Sequence, residues 1–336
     1  MTAGAVGAAA LLLAPLILSP YARLVVSYAL ALALAALAVN LLLGHTGLLS
    51  LGHAAYFGAG AYAGGFLYAF TPLTALEQYL LAGVTTATAL AALFGAVCVR
   101  ATRIHFTILT LASAQIVHSL FISGIAFRPF GGVGHGLFLL GGGGLYIPRF
   151  TIAGVELEGE AFDLAVYYVI AGAFLGSAGL LWRILHSPFG TVLRAIRDNE
   201  ERALFVGIRV RRYRWYAFVL SGVFAGLAGG LWGQLSRQVT PQQLHWLFSA
   251  ELVLAAVLGG TRQFWGPVLG AFGLVALQEL ALRFTLGRGL VLGILLIAVV
   301  LVCPEGLAEG LAAALPALRR RLARLPVGLR GRWRPS

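Results

Sequence analysis

The side chains able to do chemistry in this chain are few, and most of them lie inside apolar runs. His45 and His53 stand eight residues apart with no carboxylate or thiol beside them. They read as hydrogen-bonded packing residues, because a metal site draws its ligands from several such groups together, and no metal is expected. Ser50, Thr107, Thr110, Gln115 and Glu251 are further polar groups set deep in hydrophobic segments. Paired carboxylates, an H-E-x-x-H motif and a Ser/His/Asp arrangement at convincing spacing are absent, which removes the readiest readings as a membrane enzyme. Gly58-x-Gly60 has the look of a dinucleotide loop, but no strand precedes it and no βαβ unit surrounds it. All 24 basic residues are arginine. A phosphate-binding loop needs the lysine of G-x-x-x-x-G-K-[ST] to reach the phosphates, so the chain holds no such loop, and lysine Schiff-base chemistry is excluded with it.

The elements that must position these residues follow from composition. Of 336 residues 60% are hydrophobic and only 11% charged, and 44 are glycine. A membrane-spanning helix takes about 20 mostly apolar residues, and the chain divides into runs near 3–18, 24–43, 53–70, 78–98, 106–126, 162–182, 215–233, 247–260, 264–284 and 289–303. The expected fold class is an all-α integral membrane protein of about 8–10 transmembrane helices. The first run lacks both a basic leader and a cleavage site, so it is not read as a signal peptide. One membrane domain is expected over residues 1–315, followed by a basic cytoplasmic tail at 316–336. Cys98 and Cys303 both end apolar runs, far apart in sequence, and a structural disulfide has little support.

A net charge of +12 suggests nucleic acid in a soluble protein, but these arginines sit at the ends of spans rather than as a basic patch among stacking aromatics. No nucleic acid is expected. Eight of them fall in residues 183–214, seven in the tail between Arg319 and Arg334, and Arg100 and Arg103 share a loop. The positive-inside rule puts these segments in the cytoplasm. Four runs separate the first two segments, and an even number is what a shared side requires. The loop between Arg128 and Asp163 then faces outside, and it is Gly-rich and acidic, with Glu156, Glu158 and Glu160.

Within 183–214, Ser187-Pro188 is a helix start and Gly207 a natural stop. One short amphipathic helix between them would gather Val192, Ala195, Ile196, Asn199, Ala203 and Val206 on one stripe, facing the lipid edge. Arg194, Arg197, Asp198 and Glu201 would gather opposite. Residues 40–65 pack seven glycines with Asn40, Thr46, Ser50 and the two histidines. Small residues at three- and four-residue spacing let helix backbones approach closely. They also permit a broken helix, whose exposed backbone is tolerated only against protein or a water-filled path.

Two resemblances rest on these segments. Glu201-Arg202-Ala203 followed by Gly207 resembles the E-A-A-x-x-x-G signature of ATP-binding cassette (ABC) importer permeases, with Arg202 in place of the usual first alanine. The run N-L-L-L-G-x-x-G-L-L-S-L-G-H-A-A-Y-F-G-x-G-A-Y at 40–62 resembles the signature of branched-chain amino acid ABC transporter permeases, specifically the M-type subunit. Residues 107–118, 221–231, 251–271 and the P-E-G-L at 304–307 fall in that family's order.

The resemblance implies a permease subunit without its own ATPase site, carrying amino acids across the plasma membrane with ATP hydrolysed by partner subunits. It implies a second permease subunit of the related H-type, two cytoplasmic ATPases and an extracytoplasmic substrate-binding protein, besides membrane lipids. Arg194, Arg197, Asp198, Asn199, Glu200, Glu201, Ala203 and Gly207 are then the expected ATPase-coupling residues. Ser50, His53, Thr107, Thr110, Gln115 and Glu251 are candidates for the translocation path, since polar groups within spans turn inward. Gly44, Gly47, Gly52, Gly58 and Gly60 are expected to pack helices or break one. Urea, amides and other amino acids remain alternative substrates. A secondary transporter or channel is the rival class, but few ionisable residues are available for its charge relay.

Overall fold

Apolar runs and helices coincide nearly one for one. The structure is a computed structural model, and it describes residues 2–70, 75–101, 103–123, 139–140, 144–152, 154–282, 288–302 and 306–310. Ten described helices fall on the ten runs: α1 (Thr2–Ile17), α2 (Pro20–Thr46), α3 (His53–Phe70), α4 (Leu76–Cys98), α5 (Arg103–Ile122), α6 (Gly159–Leu185), α9 (Val210–Ser236), α10 (Trp246–Gly259), α11 (Gly266–Ala281) and α12 (Arg288–Val302). Five of them, α2, α4, α5, α6 and α9, are long and apolar enough by themselves to cross a membrane. The tail at 316–336, Arg128 of the outer loop, Cys303 and the Pro304-Glu305 of P-E-G-L lie outside the described residues.

The core is built around α2, whose side chains from Ala29 to Leu42 are almost all buried. α9 packs against α2, α3 and α4, while α10 and α11 form a hairpin against α2. Missing side chains set these distances. A methyl group on Gly60 would meet the carbonyl of Gly226, and one on Gly83 would stand 2.6 Å from the carbonyl oxygen of Gly60. Three helix backbones meet there, as small residues at helix crossings allow. The opposite faces of α4 and α5 expose Leu81, Leu93, Ile104, Ile108 and Ile116, an apolar surface suited to lipid.

One end carries a small antiparallel sheet in the order β1 (Leu139–Leu140), β2 (Gly144–Tyr146), β3 (Gln238–Val239), with Leu145 paired to Val239. The other end carries the arginine platform, and here the structure corrects the sequence reading. The segment is two helices, α7 (Pro188–Asp198) and α8 (Glu200–Phe205), broken at Asn199. Asn199 is extended, at φ −158°, and its side-chain oxygen accepts from the backbone of Arg202 at 2.9 Å, capping α8. The single stripe therefore does not form. Ile196, Ala203 and Val210 are buried together, with Val192, Ile208 and Tyr213 against them, whereas Ala195, Asn199 and Val206 are exposed. The apolar side of the platform packs on the protein's own helices rather than on lipid. Its expected ends hold: Pro188 opens α7 after Ser187, and Gly207 stops α8 with φ +86°. Ile208 N–H returns to Ala203 O and Gly207 N–H to Leu204 O, the paired bonds of a Schellman end.

Candidate functional site

The glycine-rich run is a broken helix. α2 ends at Thr46, Gly47 turns left-handed at φ +71°, and helix resumes at His53. Backbone groups freed by such a break must find partners within the membrane. Side chains of two other helices supply them. On α5, Thr107 donates to Leu49 O at 2.8 Å, and Thr110 accepts from Leu51 N–H at 3.2 Å. On α10, Ser249 accepts from Ala54 N–H at 2.7 Å. Ser50 accepts from Gly52 N–H at 3.3 Å. Close approach at Gly52 permits this clamp, since a methyl group there would stand 2.9 Å from Thr110 O. At Gly44 it would stand 2.5 Å from the carbonyl oxygen of Thr261.

His53 opens α3 at the centre of the bundle and is fully buried. Its Nε2 lies 2.6 Å from Ser221 Oγ, and Ser221 donates to Ala38 O at 2.5 Å. A hydroxyl has one proton. Because Ser221 gives that proton to the carbonyl, it must accept from His53, which assigns the imidazole as the Nε2–H tautomer. The chain α3–α9–α2 is thereby joined by one hydrogen-bonded relay. Among the described residues no group of histidine, cysteine, aspartate and glutamate could hold a metal ion.

The platform is tied to this region. Arg197 donates through Nη1 to Gly44 O at 2.6 Å, and its stem lies over Gly47. The same guanidinium pairs with Asp198 at 3.1 Å in an exposed ion pair. Glu200 accepts two bonds from Arg214 of α9, at 2.6 and 2.8 Å, and the Arg214 side chain is only 7% exposed. A bidentate pair of this kind fixes direction as well as distance, so α8 is anchored on α9. Arg194, Glu201 and Gly207 remain exposed, and Ala203 is buried beneath them. Beside them Leu204, Phe205 and Val206 present an apolar surface, Phe205 being 90% exposed.

The remaining sequence-expected residues are scattered. Glu251 on α10 accepts from Gln278 on α11 at 2.5 Å, which closes the hairpin between them. Gln115 is exposed on α5, its amide 3.4 Å from His118. Gly58 lies where any side chain would meet Leu244. Of the path candidates, Ser50, His53 and Thr110 are fully buried, and Thr107 and Glu251 partly so. Sequence reasoning missed Arg214, Ser221, Ser249 and Phe205. A buried arginine at the start of an apolar span was the one available signal for Arg214; the serines act across long sequence separations that periodicity does not register.

Taken together, the geometry defines a multi-pass membrane protein with a broken helix and a charged helical pair docked on its end. Residues 21–300 match the family described as Branched-chain amino acid transport system / permease component, and the chain belongs to that family. It is 27% identical over 291 residues to the High-affinity branched-chain amino acid transport system permease protein LivM of Escherichia coli (strain K12), covering 81% of this chain and 66% of that protein, a little under two thirds. It is 28% identical over 169 residues to the Probable branched-chain amino acid transport permease protein LivH of Methanocaldococcus jannaschii, covering 47% of this chain and 53% of that protein. The Ribose import permease protein RbsC of Bacillus subtilis (strain 168) is 31% identical over 112 residues, 33% of this chain and 34% of the relative. No solved structure matches. The chain is a multi-pass protein of the plasma membrane.

Proposed function

We propose that this chain is the membrane-spanning permease subunit of an ABC importer that carries amino acids, branched-chain ones first, into the cytoplasm. The observation that carries the reading is the family match from residue 21 to residue 300. The chain binds no cofactor of its own; ATP is hydrolysed by two cytoplasmic ATPase subunits. α7 and α8 receive those subunits through Arg194, Asp198, Glu201 and the exposed Leu204–Val206 surface. Arg197 and Glu200 tie the received motion to α2 and α9. A second, H-type permease subunit completes the translocation path, and a substrate-binding protein loads it from outside. Within the path, Gln115 and Glu251 serve as accessible polar groups. Ser50, His53, Thr107 and Thr110 hold the helix break beside it.

The test is uptake into proteoliposomes that contain the assembled permease pair and ATPases, with binding protein added outside and ATP trapped within. ATP-dependent entry of labelled leucine, absent with a non-hydrolysable analogue, is the expected result. Uptake that follows a proton or sodium gradient alone would sink the reading. Ribose serves as a parallel substrate, because the ribose importer subunit of Bacillus subtilis is among the relatives. Uptake of ribose but not leucine would retain the importer and overturn the substrate.

A further inference from the structure

At the end of the bundle opposite the arginine platform, a cavity of about 210 Å³ opens between the start of α2, the start of α6 and the end of α9. Its polar lining is mixed in sign: Arg23, Glu160, Asp163, Gln234 and Arg237, set around the ring of Phe162. Two of these charges are already satisfied by each other, since Arg237 pairs with Asp163 at 3.2 Å. Arg237 and Arg149 also flank the Phe162 ring, 5.5 and 5.3 Å from its centroid. This arrangement braces the wall.

Three polar groups of the cavity are left over. Among the described residues Arg23 takes part in no salt bridge, and its Nε is buried without a hydrogen-bond partner. Glu160, exposed in the first turn of α6, is likewise outside the ion pairs of the described residues. Gln234 is 2% exposed and gives its Nε2 to Pro148 O at 3.1 Å, which orients the amide and leaves Oε1 buried and unpartnered. A buried polar group without a partner costs about 1–3 kcal/mol. Two such buried atoms, Arg23 Nε and Gln234 Oε1, line one small cavity with the exposed Glu160 carboxylate beside them, and they mark a place where a ligand can supply the missing bonds.

We propose that this cavity binds a small zwitterion, its anionic group on Arg23 and its ammonium between Glu160 and the Gln234 oxygen. An anion alone would leave the buried Gln234 oxygen unpaired, and an amine alone would leave the buried Arg23 Nε unpaired, so a molecule carrying both groups satisfies the two, with the exposed Glu160 carboxylate on the ammonium side. The volume suits a free amino acid or a lipid headgroup and is below the range of drug-sized pockets. Both an amino acid and an aminophospholipid headgroup have this chemistry, and the site does not rest on the transport reading.

The experiment is equilibrium binding to the purified full-length chain in detergent. The probes are leucine, short-chain phosphatidylethanolamine, isovalerate as the anion alone and isoamylamine as the cation alone. At least one zwitterion should saturate at one molecule per chain and bind about 10-fold or more tighter than either single-charge probe, the size of a lost charged hydrogen bond. Leucine binding identifies the free amino acid as the source; lipid binding identifies the headgroup. Arg23→Gln and Glu160→Gln should each weaken binding about 10-fold or more at unchanged melting temperature. Glu160 is exposed, so its variant keeps the test sharp if Arg23→Gln fails to fold. Absence of zwitterion binding, equal binding of a single-charge probe, or wild-type affinity in the Glu160 variant would overturn the proposal. A loss of ATP-driven uptake with binding intact would count against the transport reading alone.

Discussion

Arg197 reaches across 2.6 Å to the carbonyl oxygen of Gly44, so a side chain of the cytoplasmic platform holds the last turn of α2. The bond lands immediately before the left-handed turn at Gly47, and the arginine stem covers that turn, 3.0 Å from where a methyl group on Gly47 would sit. Displacement of α7 must therefore pull on the helix break or break the bond. The platform and the break form one mechanical unit.

Replacing Arg197 with glutamine should separate them. The Arg197 side chain is 37% exposed, so the loss in stability is small, about 1 kcal/mol or less. Coupling should suffer more than folding. ATP hydrolysis by the assembled complex is expected to persist while leucine uptake falls about 10-fold, measured as moles transported per ATP in proteoliposomes. An unchanged ratio would remove Arg197 from the coupling route.

The Glu200–Arg214 pair should behave differently, because Arg214 is buried. Removing one partner of a buried pair costs about 3–5 kcal/mol. Glu200 is 35% exposed, so about 2 kcal/mol is expected from Arg214→Ala. Thermal unfolding in detergent should show a lower melting temperature, and Glu200→Gln in the Arg214→Ala background should cost little more. Additive losses would show that the two side chains do not act as a unit.

Much of this architecture is legible in the sequence, since bilayer thickness sets run length and the ten runs coincide with ten helices. The Gly47 turn and the Gly207 stop are legible for the same local reason: only glycine adopts positive φ without strain. The break at Asn199 is not found by periodicity, because the apolar pattern continues through it. Its signal is chemical, an asparagine followed by two glutamates, which reads as a cap and an acidic first turn. The bonds of Ser221 and Ser249 to α2 and α3 have no such local signal. They depend on which helices cross, and only the assembled bundle determines that.

Helix crossing at Gly60 gives a steric prediction. A methyl group there meets the Gly226 carbonyl, a backbone atom that can move only with its helix. Gly60→Ala should cost about 1–3 kcal/mol, the usual range for overpacking a filled core. Gly172→Ala on α6, where nothing lies within 4 Å, is the control and should be neutral or slightly stabilising. Melting temperatures of the two variants check the contrast; equal values would mean that the α3–α9 approach has slack.

Phe205 is exposed at 90% at the end of α8, between the exposed Leu204 and Val206. An aromatic side chain so placed contributes nothing to the isolated fold, yet aromatic residues dominate binding energy when they enter a partner's pocket. Phe205→Asp should leave melting within about 0.5 kcal/mol of wild type and reduce co-purification of the ATPase subunits about 10-fold or more. Full retention of the ATPases would mean that docking uses the charged residues alone.

The relay at the bundle centre makes the sharpest stability claim. Ser221 accepts from His53 and donates to Ala38 O, whose carbonyl sits inside α2 and keeps its helical partner, so Ser221→Ala strands a buried imidazole N–H and removes a second bond from that carbonyl. The orphaned imidazole N–H costs about 1–3 kcal/mol. A loss of that size, about 1–3 kcal/mol, is therefore expected. Ser221→Thr keeps the hydroxyl and tests hydrogen bonding against packing, while His53→Gln keeps a donor that Ser221 can still accept from. Both should retain more stability than Ser221→Ala. If alanine is tolerated as well as threonine, the relay is not what joins α2, α3 and α9, and the close glycine contacts between those helices carry the centre of the bundle by themselves.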